Sequence, residues 1–155
     1  MSIEMVRIDD RLIHGQIVAA WVKTLGIGRV WIVDDGVAND EFLKGVMAMV
    51  APPNVKLLIT DTSSINELCQ KFDNQDRKTM ILVKYPKVAQ KIFQTGIKHR
   101  ALNVGGMGAN ADREQLFRNI SASKEEKQTL KEIQDSGVEV YFQVTPDEKK
   151  TPFES

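Results

Sequence analysis

Apolar runs typical of buried strands alternate with amphipathic helical patterns along nearly the whole of this 155-residue chain. The strand-like runs fall at residues 3–8, 29–33, 55–59, 80–83, 101–104 and 138–144. Helical patterns occupy the intervals, at residues 17–25, 40–50, 64–72, 86–94 and 123–135. Such alternation predicts βαβ units, because each helix carries the chain back to the same end of a sheet. We therefore expect an α/β fold with three layers, an open and mainly parallel sheet with helices on both faces.

The chain is long enough to bury one proper core, and no linker or internal repeat divides it. We expect a single domain over residues 1–145, followed by a polar C-terminal tail, residues 146–155, that frays. Residues 116–120 are expected to form a short strand. Ser123 opens the last helical pattern with the spacing of a capping box.

Composition argues against several classes of protein. The 21 basic and 21 acidic residues give a formal net charge of zero, so no nucleic-acid partner held by bulk charge is expected. No apolar run approaches the ~20 residues of a membrane span. Glu4 and Arg7 interrupt the N-terminal apolar residues too early for a signal peptide. The single cysteine, Cys69, cannot form an internal disulfide, which favours a reducing cytoplasm.

The segment most informative about function is RIDDRLIHGQ, residues 7–16. It places two acids, two arginines and a histidine around a glycine, where the first strand gives way to the first helix. In an open α/β sheet, ligands bind at the carboxyl ends of strands, and the amides at the start of a helix favour anions. The segment is therefore typical of a loop that accepts a phosphoryl group.

His14 is the candidate nucleophile of this loop. Taken alone, a histidine beside apolar neighbours is more often structural, but three features favour function. These are the loop position, the Arg11 fork that fits a phosphate, and Gly15, which leaves room for a bulky group. An imidazole with a pKa near ~6.5 is largely neutral in cytoplasm and can attack phosphorus, while arginine and helix amides hold the oxygens.

The other polar residues of the loop each have two interpretations. Either Asp9 or Asp10 accepts a hydrogen bond from the N–H of the ring nitrogen of His14 that does not attack, and so fixes the tautomer, or both acids cap turns. Gln16 either donates to the phosphate or only begins the helix. Arg7 either serves the site or pairs structurally with an acid.

Other candidate residues carry weaker signals. Gly105–Gly108 lacks the lysine and the glycine spacing of nucleotide-binding loops. A nucleotide-dependent kinase is therefore the least favoured of the functions considered. This segment is either a tight turn or a backbone that approaches the same rim of the sheet as His14. His99 is interpreted as a solvated loop residue and Cys69 as core packing. The two histidines of the chain and its cysteine do not have the spacing of metal ligands, so we expect no metal site.

Residues 7–16 closely resemble the active loop of the IIB components of the bacterial sugar phosphotransferase system (PTS), mannose/fructose/sorbose family. The similarity covers nearly the whole chain, with further landmarks at residues 34–35, 39–41, 51–53, 102–107 and 123–144. The resemblance implies a central, mainly parallel sheet flanked by helices. It also implies that His14 takes a phosphoryl group on Nδ1 from a phosphohistidine of a IIA protein. The group then passes to a hexose or related sugar entering through the membrane components IIC and IID.

On the same resemblance, the family's loop arginine corresponds to Arg11 and its acids to Asp9 and Asp10. Together with Gly15 and Gln16, Arg11 is expected to contact the phosphate. Neither a metal ion nor a nucleotide cofactor is implied. The chain starts directly at the first strand, so we expect a stand-alone IIB component, cytoplasmic and peripherally associated with the membrane transporter.

A second hypothesis, from a different class, is a non-catalytic regulatory module that binds phosphate or a phosphorylated metabolite. It predicts ligand binding without covalent transfer. The sequence leaves open which sugar is used, and it leaves the oligomeric state open, a homo-oligomer included.

Overall fold

A seven-stranded sheet forms the centre of the computed structural model, which describes residues 2–15 and 17–154. Its strands are β1 Ile3–Asp9, β2 Arg29–Val33, β3 Lys56–Thr60, β4 Thr79–Val83, β5 Ala101–Gly106, β8 Glu139–Phe142 and β9 Thr151–Pro152. They lie in the order β3-β2-β4-β1-β5-β8-β9, parallel throughout except that β9 is antiparallel to β8. The predicted mainly parallel sheet is therefore confirmed.

Helices cover both faces of this sheet, as predicted. On one face lie α1, which is a π-helical segment Ile17–Val22 continued by the α-helical turn Lys23–Leu25, then α2 Asp35–Ala38 and α3 Glu41–Val50. On the other lie α4 Ile65–Asp73, α5 Pro86–Gln94 and α6 Lys124–Asp135. Each face has its own hydrophobic core. Within the described residues, no helix combines the length and the apolar character needed to cross a membrane.

The central strands are buried on both faces, which explains why their sequences are continuously apolar rather than alternating. Every residue of β4 is buried, and Val6 of β1 pairs with Ile81 of β4 and Leu102 of β5. Against this apolar background Arg7 lies in the middle of β1 and is only 1% exposed. A buried arginine needs partners, and they turn out to belong to the candidate site.

The winding of the sheet reverses beside β1. After β1 the chain moves to β2 through α1 on one face, whereas from β4 it crosses to β5, on the other side of β1, through α5 on the opposite face. Open α/β sheets bind ligands outside the carboxyl ends of strands at such a switch point. The carboxyl end of β1 is where the loop of residues 10–15 begins.

Two features of the region after β5 bear on the sequence predictions. The single strand predicted over residues 116–120 is wrong: the chain forms an antiparallel hairpin of β6 Glu114–Phe117 and β7 Ile120–Ala122. Its turn contains Arg118 with a φ of +46°, a conformation that arginine rarely adopts and that apolar patterning does not reveal. The capping box at Ser123 is confirmed, with reciprocal hydrogen bonds to Glu126.

The tail at residues 146–155 does not fray as expected over its described part. Thr151–Pro152 pairs with β8, and Phe153 is 2% exposed. The Phe153 ring packs edge-on to Phe142, with ring centroids 6.2 Å apart. The buried Phe153 and the β9 pairing together hold the tail on the sheet, and the polar average composition of this segment does not reveal either contact.

Candidate active site

The loop after β1 is held in shape by a buried anchor. Leu12 is fully buried, and its φ of +56° lies in the left-handed region. Its N–H donates to the Asp9 carbonyl oxygen over 2.9 Å, which closes the turn. A non-glycine residue in this conformation is strained by about 1–3 kcal/mol and persists where the surrounding structure over-determines it. The buried Leu12 side chain thus fixes the path along which Arg11 and His14 follow β1.

Asp9 is the centre of the site. Its carboxylate has no exposed surface and receives five hydrogen bonds or ion-pair contacts. Oδ1 accepts from the backbone N–H and from Nε of Arg11, each at 3.1 Å. Oδ2 accepts from Nη2 of Arg7 and Nη2 of Arg11, both at 3.1 Å, and lies 3.3 Å from Nε2 of His14. One carboxylate therefore organises both arginines and the histidine of the loop.

The Asp9 carboxylate remains ionised in this buried place. Burial by itself would raise the pKa of the Asp9 carboxyl, but the hydrogen bonds from Arg11 and the charge of Arg7 outweigh that effect. The pKa of Asp9 consequently lies below its ordinary value of 3.8. At neutral pH, Asp9 can only accept hydrogen bonds, which determines what its neighbours must donate.

Arg7 forms a fully buried ion pair with Asp9. Its Nη1 donates to Oδ1 of Asn103 in β5 and, over 3.0 Å, to the carbonyl oxygen of Gln143 after β8. Its guanidinium carbon also lies 5.6 Å from the centre of the Trp21 ring in α1. Burial lowers the pKa of Arg7, and the Asp9 charge opposes that shift. Of the two alternatives left open by the sequence, the structure shows the pairing with an acid, and that acid is Asp9.

The glycines of β5 make room for these two charged side chains. A Cβ on Gly105 would overlap the Arg7 guanidinium, and a Cβ on Gly106 would lie 2.7 Å from Oδ1 of Asp9. Gly105 and Gly106 belong to β5, so the tight turn considered from the sequence is wrong for them. The alternative, a backbone that approaches the rim beside the His14 loop, matches the geometry.

His14 is half-buried, with 20% of its side chain exposed. Because Asp9 is an anion, the ring nitrogen facing it, Nε2, carries the proton, and the lone pair of the neutral ring lies on Nδ1. Burial lowers the pKa of the imidazole below its ordinary 6.5. The hydrogen bond and the charge of Asp9 oppose this downward shift, whereas the charges of Arg11 and Arg7 increase it. At neutral pH, His14 is thus a neutral base with a defined tautomer.

Arg11 differs from Arg7 in its access to solvent. Its side chain is 49% exposed and binds Asp9 through Nε and Nη2, which leaves Nη1 outside that pair. Gly15, one residue beyond His14, is exposed, and a Cβ there would meet nothing within 4 Å. A half-exposed guanidinium thus shares the Asp9 carboxylate with the imidazole, and the next residue along the chain, Gly15, is exposed. Gln16, the remaining phosphate-binding candidate, lies outside the described residues.

Asp10 faces a different part of the structure from Asp9. Its Oδ2 accepts from the backbone N–H of Gly108 over 2.7 Å and lies 3.7 Å from Nη1 of Arg113. Arg113 also donates to the Gly108 carbonyl oxygen and, through Nε and Nη2, to both carboxylate oxygens of Glu126, each over 2.8 Å. Asp10 thus ties the His14 loop to the segment after β5. Sequence reasoning missed Arg113, for which no local pattern gives a signal.

Replacing Gly105 with alanine tests the fit between β5 and Arg7. Gly105→Ala is expected to lower the free energy of unfolding by at least about 2 kcal/mol, because the added methyl displaces a buried, paired guanidinium. Gly45→Ala is the matched control, since its Cβ meets nothing within 4 Å and alanine favours the α3 helix by up to about 1 kcal/mol. Urea unfolding measures both; equal stability of the two variants would contradict the packing described.

The titration of His14 tests the electrostatics of the site. The imidazole should titrate with a midpoint below 6.5, and Asp9→Asn should lower it further, because Asp9 is the group that favours the charged ring. Two-dimensional NMR of the histidine ring protons measures the midpoint. His99, whose pKa burial also lowers, is the internal reference and should not respond to this substitution. A rise of the His14 midpoint in Asp9→Asn would show that Asp9 does not act on it as an anion.

Comparison of the sequence with known proteins identifies the family of this chain. Residues 3–155 match the family model for the sorbose-subfamily IIB component of the PTS. The chain is 29% identical over 153 residues to the fructose-specific EIIB component of the PTS from Bacillus subtilis, covering 99% of this chain and 94% of that protein. It is 30% identical over 140 residues to the mannose-specific EIIAB component of Escherichia coli, but these span 90% of this chain and only 43% of that protein.

Solved structures agree with the sequence comparison. The crystal structure of the IIBSor domain of the sorbose permease from Klebsiella pneumoniae is similar over 98% of this chain and 93% of that one, with a TM-score of 0.91 and 28% identity. The family model covers almost the entire chain, and the fold agrees over the same span. The resemblance inferred from residues 7–16 is thus confirmed. The chain belongs to the sorbose subfamily of PTS IIB components.

Proposed function

We propose that the chain is a phosphocarrier that accepts a phosphoryl group on Nδ1 of His14 and passes it to a sugar. Family membership supports a general role in phosphoryl transfer. The observation that carries the specific assignment is the contact between Nε2 of His14 and the buried Asp9 carboxylate, which leaves the lone pair on Nδ1. A nucleophile needs such a lone pair and a fixed orientation.

The proposed acceptance step is an in-line displacement at phosphorus. The Nδ1 lone pair forms the new N–P bond while the N–P bond of a donor phosphohistidine breaks, and its electron pair returns to the donor ring. His14 keeps its Nε2 proton and becomes positively charged. The Asp9 anion, already in contact with that N–H, offsets the new charge without moving a proton.

Arg11 is the proposed ligand of the transferred phosphoryl oxygens. Its half-exposed guanidinium is held beside His14 by Asp9, which occupies the Nε/Nη2 edge; Nη1 and the second N–H of Nη2 remain to bind phosphoryl oxygens. Gly15, directly after His14, is exposed and carries no side chain, which suits the approach of a donor. Asp9 positions the ring, and Asp10 holds the loop against residues 105–108.

The proposed donor is a PTS IIA protein, and the proposed acceptor is a hexose or related sugar delivered by membrane components IIC and IID. The relative from Escherichia coli is named an EIIAB component, which supports a IIA partner for this chain as well. Relatives carry fructose, mannose, sorbose and N-acetylgalactosamine in their names, so the sugar stays unspecified. The proposed location is the cytoplasm, at the surface of the membrane transporter.

A phosphorylation assay on the parent chain and on a variant of each of its two histidines tests the proposed function. Incubation with phosphoenolpyruvate, enzyme I, HPr and a matching IIA protein should add one acid-labile phosphoryl group, seen by intact mass. His14→Ala should abolish the gain, whereas the matched variant His99→Ala should retain it, because His99 precedes β5 at the other end of the sheet. Labelling of His14→Ala as strong as that of the parent would overturn the assignment. Phosphate binding by the parent without a covalent gain would favour a regulatory module.

The role of Arg11 is tested by a substitution that keeps its charge. Arg11→Lys is expected to slow phosphoryl acceptance by about tenfold or more, because an ammonium cannot replace the planar fork. Rapid-quench measurement of acceptance from phosphorylated IIA gives the rate. Arg77→Lys is the matched control, since Arg77 is exposed and precedes β4, away from the site. A near-parental rate in Arg11→Lys would restrict Arg11 to holding Asp9.

A further inference from the structure

A cleft of about 430 Å³ opens beside the His14 loop, between residues 105–108 and the turn of the β6–β7 hairpin. Arg11 and Asp10 form one wall of the cleft, and Arg118 and Glu148 lie in its lining as well. The volume falls within the range of small-molecule sites, roughly 300–1,000 Å³. The cleft therefore shares Arg11 with the proposed phosphoryl site and extends beyond it.

Arg118 is held in this cleft by an uncommon backbone conformation. Its φ of +46° is one that glycine or asparagine adopts more readily, and strain of this kind clusters at functional sites. Its guanidinium carbon lies 5.2 Å from the centre of the Phe117 ring, which in turn stacks on Phe142 at 4.8 Å. The side chain is 66% exposed, so its guanidinium is available to a ligand.

The C-terminal segment supplies the opposing charge. Glu148 accepts from Nη1 of Arg118 over 3.2 Å, and the Glu148 carbonyl oxygen accepts from the side-chain amide of Gln143 over 2.8 Å. β9 and Phe153 then return the chain to the sheet. The ordered tail thus carries a carboxylate to the edge of the cleft and keeps it there.

The chemistry of the lining is mixed in a specific way. Two guanidinium groups, Arg11 and Arg118, are suited to a phosphate, and the Asn119 side chain can exchange hydrogen bonds with hydroxyls. Asp10 and Glu148 add carboxylates, which accept from hydroxyls. Val144 is partly exposed and adds apolar surface, whereas Met107 and Ile120 are almost fully buried behind the lining. A ligand that matches this lining has one phosphate, several hydroxyls and a small apolar face.

We propose that the cleft binds a phosphorylated monosaccharide, with its phosphate between Arg11 and Arg118 and its hydroxyls on Asp10, Asn119 and Glu148. The inference rests on the proposed function, because Arg11 would pass from the phosphoryl group on His14 to the phosphate of the sugar product. Arg118 then exchanges part of its pairing with Glu148 for the phosphate. This assigns the IIB component a contact with the sugar itself, and not with its phosphate alone.

Titration of the unphosphorylated chain tests the cleft without any transfer step. Mannose 6-phosphate and fructose 1-phosphate are the probes, with mannose and inorganic phosphate as partial ligands, and amide chemical shifts are the readout. The expected result is saturable shifts at residues 105–108 and 118–120, with binding at least about tenfold tighter than that of inorganic phosphate. Arg118→Ala should weaken binding by about tenfold or more, whereas Arg77→Ala should not.

His14→Ala separates this proposal from the proposed function. It removes the phosphoryl acceptor but leaves the cleft lining, so binding of the sugar phosphates should persist. Absence of shifts in the cleft, or binding equal to that of inorganic phosphate, overturns the proposal even where His14 is phosphorylated. If sugar phosphates cause no shifts but Arg118→Ala slows acceptance from IIA, the cleft is a protein docking surface and the proposal is wrong.

Discussion

The buried carboxylate of Asp9 is the interaction on which the rest of the site depends. A carboxylate without exposed surface is tolerated only when charged and hydrogen-bonded partners surround it. Arg7, Arg11 and His14 supply those partners, and in doing so each becomes oriented by the same anion. The interactions that allow Asp9 to stay charged are therefore also the ones that define the tautomer of His14. Such a network is coupled, so the loss of one member leaves the others uncompensated.

Arg7 connects this network to the hydrophobic framework. Its partners come from three separate parts of the sheet, because Asn103 lies in β5, Gln143 follows β8, and Asp9 ends β1. The same demand explains the pair of glycines in β5, since a side chain at Gly105 would occupy the space of the guanidinium. Through Arg7 and Asp9 the His14 loop is thus connected to the centre of the sheet and not merely attached to its rim.

Much of this arrangement follows from local sequence, and the remainder does not. The alternation of apolar runs predicts the parallel sheet, and the strand-to-helix junction predicts where His14 lies. The choice between Asp9 and Asp10 depends on side-chain direction at the start of the turn that Leu12 closes, and the local sequence pattern does not specify the shape of that turn. The partners of Arg7 are 96 and 136 residues away along the chain, so only the folded sheet reveals them. The burial of Phe153 and the backbone conformation of Arg118 were likewise not predicted, because each is one residue within a segment whose average composition indicates a different structure.

The central claim is that ionised Asp9 fixes the tautomer of His14 before any phosphoryl group arrives. The most direct measurement is long-range ¹H–¹⁵N correlation NMR of the His14 ring in the unphosphorylated chain near neutral pH, followed by the same spectrum after phosphorylation. The account predicts a protonated Nε2 and an unprotonated Nδ1 in the first spectrum, and phosphorus bonded to Nδ1 in the second. A proton on Nδ1 in the resting chain, or phosphorus on Nε2 after transfer, would contradict it.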